Sequence, residues 1–114
     1  MGKGYKTAAA LILATIAGPA FADAGNFTVV NATDAAISQL SIRRTGTSDW
    51  KPLPAAPAQG AASNVSFSDP DCAFDFKATL ANGATAQWSG VNLCGTSRLT
   101  LQRRPSGETW VDYD

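Results

Sequence analysis

Cys72-Ala73-Phe74-Asp75-Phe76-Lys77-Ala78-Thr79-Leu80 carries apolar residues at its even positions, while Asp75, Lys77 and Thr79 point the other way. Alternation of that length predicts a strand with one buried face. Asn82-Gly83 follows and predicts a two-residue type I′ turn, in which both turn positions need positive φ. The return strand starts at Ala84, carries Trp88, and continues through Val91 and Leu93 to Cys94.

In that hairpin Ala81 faces Ala84, and Cys72 falls opposite Leu93, one residue short of Cys94. One extra residue in the return strand, with Gly90 as the natural position, would make Cys72 and Cys94 direct partners in a disulfide. A bulge near Ser89-Gly90 is therefore expected, with Trp88 opposite Ala78. The cysteines are 22 residues apart. A loop of that length adds roughly 3 kcal/mol in the chain-entropy model. Their separation is far from the Cys-x-x-Cys spacing of redox pairs, and no histidine is present to complete a thiolate metal site.

The same pattern of short strands and turns extends outward from the hairpin. Asn26 to Asn31 reads as a first strand and Ala36 to Arg44 as a second, with Ile37 out of phase as if at a bulge. Thr45 to Asp49 is a turn, after which Trp50 packs back on the domain. Leu53 to Gly60 reads as a loop, since Pro54 and Pro57 cannot donate to a ladder. Asn64 to Phe67, Arg98 to Gln102 and Thr109 to Tyr113 supply further strands. About seven strands without an amphipathic helix predict an all-β chain. The expected fold is a small antiparallel β-sandwich or partly open barrel of about seven strands, held by one disulfide.

The first residues read as an export signal. Lys3 and Lys6 precede the apolar run from Ala8 to Ala17, Gly18-Pro19 breaks it, and Ala20-Phe21-Ala22 has the small-x-small pattern of a cleavage site. The run is too short for a span that needs about 20 apolar residues, so no stable membrane span is expected after processing. Residues 1–22 are read as a signal peptide and 23–114 as one domain. Its location would be periplasmic or secreted. The two leader lysines leave with the signal, so nine basic groups become seven against nine acidic ones. That balance gives no electrostatic case for nucleic acid.

Residues that could carry chemistry are few. Without histidine the chain has no Ser/His/Asp or Cys/His system, and Glu108 is its one glutamate. No enzyme activity and no cofactor are expected. Asp69 and Asp71 are weak candidates to share a calcium ion, and an amide-capping turn is the favoured reading. Arg43, Arg44, Arg98, Arg103 and Arg104 could form a small anion-binding patch if their strands are neighbours. Against this, adjacent arginines in a regular strand point to opposite faces. Of Trp50, Trp88 and Trp110, the first lies beside a turn and is the candidate for an exposed partner surface with Arg43 and Arg44. Asn31-Ala32-Thr33 matches a glycosylation acceptor and is read as turn chemistry.

Val29-Val30-Asn31-Ala32-Thr33, Leu40-Ser41-Ile42, Thr47-Ser48-Asp49-Trp50, Leu53-Pro54, Phe67 through Cys72 to Asp75, and Val91-Asn92-Leu93-Cys94 together form a recognisable series. It resembles a loosely defined family of small exported bacterial proteins with a Cys-x-x-Asp strand and a Val-x-Leu-Cys segment. This chain departs from the pattern at Ala55 to Gly60. The resemblance implies a compact β fold and brings no catalytic residues.

The expected function is a non-enzymatic binding or envelope-associated interaction module, whose partner is another envelope or secreted protein. The alternatives are a periplasmic binder of calcium or a small anionic ligand, and an inhibitor of another secreted or envelope protein using residues 45–60.

Overall fold

In the computed structural model the described residues are 23–114, so the expected signal at 1–22 lies outside them. Within this range the chain forms β1 (Phe27–Ala32), β2 (Ile37–Arg44), β3 (Lys51–Leu53), β4 (Ala62–Val65), β5 (Ala73–Leu80), β6 (Thr85–Asn92), β7 (Arg98–Arg103) and β8 (Thr109–Tyr113). They form two four-stranded sheets, β4-β1-β7-β8 and β3-β2-β5-β6. The seven expected strands are present, although the one read at Asn64 to Phe67 runs Ala62–Val65 and leaves Phe67 outside it, and β3 is additional. It is a three-residue edge strand containing Pro52, which sits opposite Ser41. An edge position is where a proline can be tolerated in a sheet.

One pairing departs from the antiparallel expectation. β1 and β7 run parallel, with Thr28 opposite Arg98 and Ala32 opposite Gln102. Hairpin signals describe sequential strands, whereas this pair is joined by a crossover that includes the whole second sheet. The two inner faces meet in a core containing Phe27, Val29, Leu40, Phe76, Trp88, Leu99 and Leu101.

The β5–β6 hairpin is bulged where expected and turns differently. Phe76 pairs with Trp88 and Phe74 with Val91, so Ser89 and Gly90 together oppose Asp75. Gly90 has φ of +66°, and its amide donates to Asp75 Oδ1 at 2.9 Å. At the turn, Leu80 N donates to Ala84 O at 2.8 Å and Gly83 N to Leu80 O at 3.0 Å. Gly83 has positive φ and no non-glycine residue among the described residues does, so the connection is Ala81-Asn82-Gly83, a type I turn closed by glycine, in place of type I′.

The longer turn shifts the register by one residue. Trp88 faces Phe76 in place of the expected Ala78, which pairs with Ala86; the turn accounts for one residue of that difference, and the other arises because the bulge lies beyond Trp88 and does not advance its pairing. Cys72 O accepts from Leu93 N at 2.9 Å, which leaves Cys94 one residue past Cys72's direct partner. The disulfide is formed across that offset, with the two Cα atoms 5.0 Å apart. In β2 the expected irregularity lies between Ile37 and Gln39, and Ser38 Oγ donates to Thr79 O at 2.9 Å beside it.

β6 and β8 approach each other without a backbone ladder, so the two sheets do not close into a barrel. Side chains cross this seam instead. Thr109 Oγ1 donates to Gln87 O at 3.0 Å, and beneath the seam Trp88 Nε1 reaches β7, donating to Gln102 O at 3.0 Å. At the β2–β3 end of the sandwich, Ala24 pairs antiparallel with both Asp69 and Cys94. No helix among the described residues is long and apolar enough to cross a membrane.

Candidate functional site

The alternation of β2 decides what stands at the end of the sandwich. Leu40 and Ile42 are buried on the inner face, and the same period carries Arg44 to the inner-face side as the strand leaves the core. Lys51 is the cross-strand partner of Ile42 and shares that face. Between them opens a cleft of about 280 Å³, with Ile42, Phe67 and Phe74 contributing apolar surface and Arg44, Lys51 and Asp69 polar groups. Phe67 meets Phe74 and Phe27 edge to face, at centroid distances of 5.3 and 5.8 Å. These contacts hold its ring in one orientation.

The charges around the cleft are paired. Arg44 Nη2 lies 2.9 Å from Asp69 Oδ1 and Arg44 Nε lies 3.7 Å from Asp71 Oδ2. Asp69 Oδ1 also accepts the Asp71 amide at 2.8 Å, and Asp71 Oδ1 accepts the Cys72 amide at 3.2 Å. Burial raises the Asp69 carboxyl, but the bonds from Arg44 and the Asp71 amide prevail and hold it below its ordinary value. Lys51 Nζ meets Asp49 Oδ2 at 2.6 Å. Among the described residues, no group of three or more His, Cys, Asp or Glu side chains is placed to hold a metal.

Arg43 points to the opposite face from Arg44, so the doublet does not make one patch. Arg43 Nε donates to Asp75 Oδ2 at 2.8 Å, and Thr45 Oγ1 donates to Asp75 Oδ1 at 2.8 Å. Asp75 takes the outer-face direction that the alternation predicts, yet it is only 3% exposed. Burial pushes its carboxyl up, while the bonds from Gly90, Thr45 and Arg43 outweigh that and hold it below the usual carboxylate range. Trp50 is half-buried between two cations, with Arg43 Cζ 4.4 Å and Lys77 Nζ 4.3 Å from its ring centroid. It therefore lies on the outer face, roofing charge.

The remaining candidates are dispersed. Arg103 Nη1 donates to Asp34 at 2.8 Å at the opposite end of the sandwich, where Asn82 also approaches Asp34. Arg104 pairs with Glu108 and stacks on Trp110. Asn31 is fully buried; its Nδ2 donates to Ala35 O and Pro57 O, and its Oδ1 accepts from Thr33. The sequon is turn chemistry, as read.

Phe67, Lys51 and Asp75 are the residues that sequence reasoning did not assign to a site. Lys51 was hidden with β3. Asp75 left a usable signal, because a bulge at Gly90 frees an amide and Asp75 is the residue opposite it.

No family model matches the chain, and no curated protein matches it either. Among solved structures, the NMR structure of a protein from Eubacterium rectale is similar at a TM-score of 0.58 and 14% sequence identity. The match covers 85% of this chain and 93% of that one. At that identity the likeness is one of fold. It agrees with a small all-β chain in two sheets.

Proposed function

We propose that this protein is an exported, non-enzymatic binding module that meets a partner in the envelope or secreted space through the cleft of Ile42, Phe67 and Phe74. The observation that carries the reading is concave apolar surface left open at one end of a fully formed sandwich, bordered by ion-paired side chains. Concave sites of mixed lining are where ligands and partner side chains dock. The export part of the reading is supported by the leader pattern of residues 1–22. Kinship with the small exported bacterial proteins of the Cys-x-x-Asp and Val-x-Leu-Cys pattern belongs to the same proposal. Arg44 already places positive charge against Asp69 and Asp71, so the cation-binding alternative is not carried forward.

The test is site-specific photo-crosslinking in the producing cells, from a benzophenone side chain at Thr47 beside the cleft or at Asn82 at the far end. A discrete adduct from Thr47 that is absent from Asn82 is the expected result. Adducts from Asn82 alone, or identical patterns from both, would overturn the cleft as the contact surface. Amino-terminal sequencing of the exported protein should begin at Asp23.

A further inference from the structure

We infer that the hydroxyls of Thr109 and Tyr113 form a latch that keeps β8 over the edge of β6, and that without it this edge pairs with β6 of a second copy of the chain. The sheet edges are unequal. β3 has three residues and contains Pro52, which cannot donate to a ladder, and β4 has four residues. β6 runs for eight residues, Thr85–Asn92, with no proline and no charged side chain. Short length, proline and charge are the usual means by which an edge discourages strand addition, so β6 has only its bulge at Gly90 as intrinsic protection.

The ladder bonds decide which backbone groups this edge presents. Leu80 N donates to Ala84 O, and by antiparallel alternation Ala86 and Trp88 also bond toward β5. The N–H and C=O of Thr85, Gln87 and Ser89 therefore point away from β5. Beyond the bulge Leu93 N donates to Cys72 O, which turns Asn92 outward as well. On β8 the bonds from Arg104 N to Glu108 O and from Asp114 N to Arg98 O leave Thr109, Val111 and Tyr113 facing outward.

The two edges meet through side chains. Gln87 O accepts from Thr109 Oγ1 at 3.0 Å, and Asn92 N donates to the Tyr113 hydroxyl at 3.2 Å. Thr109 beside Gln87 and Tyr113 beside Asn92 make β6 and β8 run parallel across the seam, with a hydroxyl where a ladder would have a backbone group. Between the two bridges a hollow of about 160 Å³ opens at Trp88, Ser89 and Val111. It shares no residue with the cleft, so the latch stands whether or not the cleft binds. A strand added to β6 lies about 4.8 Å away, in space that β8 and its hydroxyl bridges occupy. An edge whose outward residues each present a donor and an acceptor is self-complementary when antiparallel. The matching strand is thus the same segment of a second copy about a two-fold axis, with no charge to oppose it.

Thr109→Val and Tyr113→Phe each remove one hydroxyl and leave the side-chain shape almost unchanged. Sedimentation of protein expressed from the full chain, at up to about 0.5 mM, is combined with residue-by-residue amide exchange. Wild-type protein should be monomeric, with the Gln87 and Ser89 amides exchanging fast. The double variant should dimerise in that range and slow those two amides about 10-fold or more. Thr109→Ser keeps a hydroxyl and should behave as wild type. A folded double variant that stays monomeric would overturn the inference. So would association that leaves Gln87 and Ser89 exchanging as before, or a wild-type dimer that protects them. If the double variant does not fold, Tyr113→Phe alone decides. Its Asn92 amide should exchange about 5-fold faster than in wild type, and an unchanged rate would overturn the latch.

Discussion

Asp75 accepts the amide of Gly90 across the β5–β6 ladder at 2.9 Å, so the residue opposite the bulge replaces the backbone bond that the bulge removes. Because Arg43 and Thr45 donate to the same carboxylate, this contact also ties β6, through β5, to the end of β2. One side chain thus fixes the register of a strand and the exit of the strand next to it.

Asp75→Ala should cost about 2–4 kcal/mol, because it leaves the Arg43 guanidinium and the Gly90 amide without their acceptor. Urea unfolding at neutral pH measures it. Asp75→Asn keeps an acceptor oxygen and should lose less. A loss below about 0.5 kcal/mol for the alanine variant would show that water replaces the carboxylate at no cost.

Acid should weaken the fold through the same group. Asp75, Asp69 and Asp34 are all held below the ordinary carboxylate value of 3.8, Asp34 chiefly by its bond from Arg103. The unfolded chain therefore binds more protons than the folded one in this window, and stability rises with pH across it. The contribution is complete above about pH 5 and is lost as pH falls through the folded-state values. Thermal melts should be flat from pH 7 to about 5 and fall below that, less steeply in Asp75→Asn. A wild-type slope unchanged by the substitution would exclude Asp75 as a source.

Replacing Gly90 by alanine tests the bulge. Its φ is +66° and no atom lies within 4 Å of an added Cβ, so the penalty is backbone strain alone. About 1–2 kcal/mol is expected. Gly25→Ala, also in open space and without positive φ, should be close to neutral. Equal effects at both positions would refute the bulge conformation.

Removing the disulfide by Cys72→Ala with Cys94→Ala should cost about 2–3 kcal/mol. The 22-residue separation sets the entropic part. Residual hairpin structure in the unfolded chain reduces it. Denaturation midpoints of the double variant and of wild-type protein under oxidising conditions give the difference. A difference near zero would mean that the hairpin persists unfolded.

Alternation made most of the sandwich legible. Phe74, Phe76, Ala78 and Leu80 lie in the core as their spacing predicts, and the bulge lies at Gly90 as expected, although the premise behind it failed, since Leu93 and not Cys94 is opposite Cys72. The turn was not legible. Asn82-Gly83 fits both a two-residue type I′ turn and a three-residue turn with glycine last, and the choice moves the cross-strand partner of Trp88 by one residue. β3 escaped because three residues are too few to show alternation, and its Pro52 is admissible only at a sheet edge. The cleft was partly visible: Arg44 was named, whereas Lys51 and Phe67 reach it through pairings that no local pattern encodes. Burial of Asp75 depends on Arg43 and Thr45 converging on it from another part of the chain.

The parallel β1–β7 pair sets an order of events. As the chain emerges, β1 comes first and must remain without its central neighbour until Arg98–Arg103 appears. All four strands of the other sheet are available by Asn92, so that sheet can assemble while β1 waits. Such distant pairing makes folding slow and leaves an apolar strand exposed during synthesis. A chain truncated before β7 retains its disulfide hairpin but lacks the means to bury β1, which makes the last twenty or so residues the step that commits the molecule to its native state.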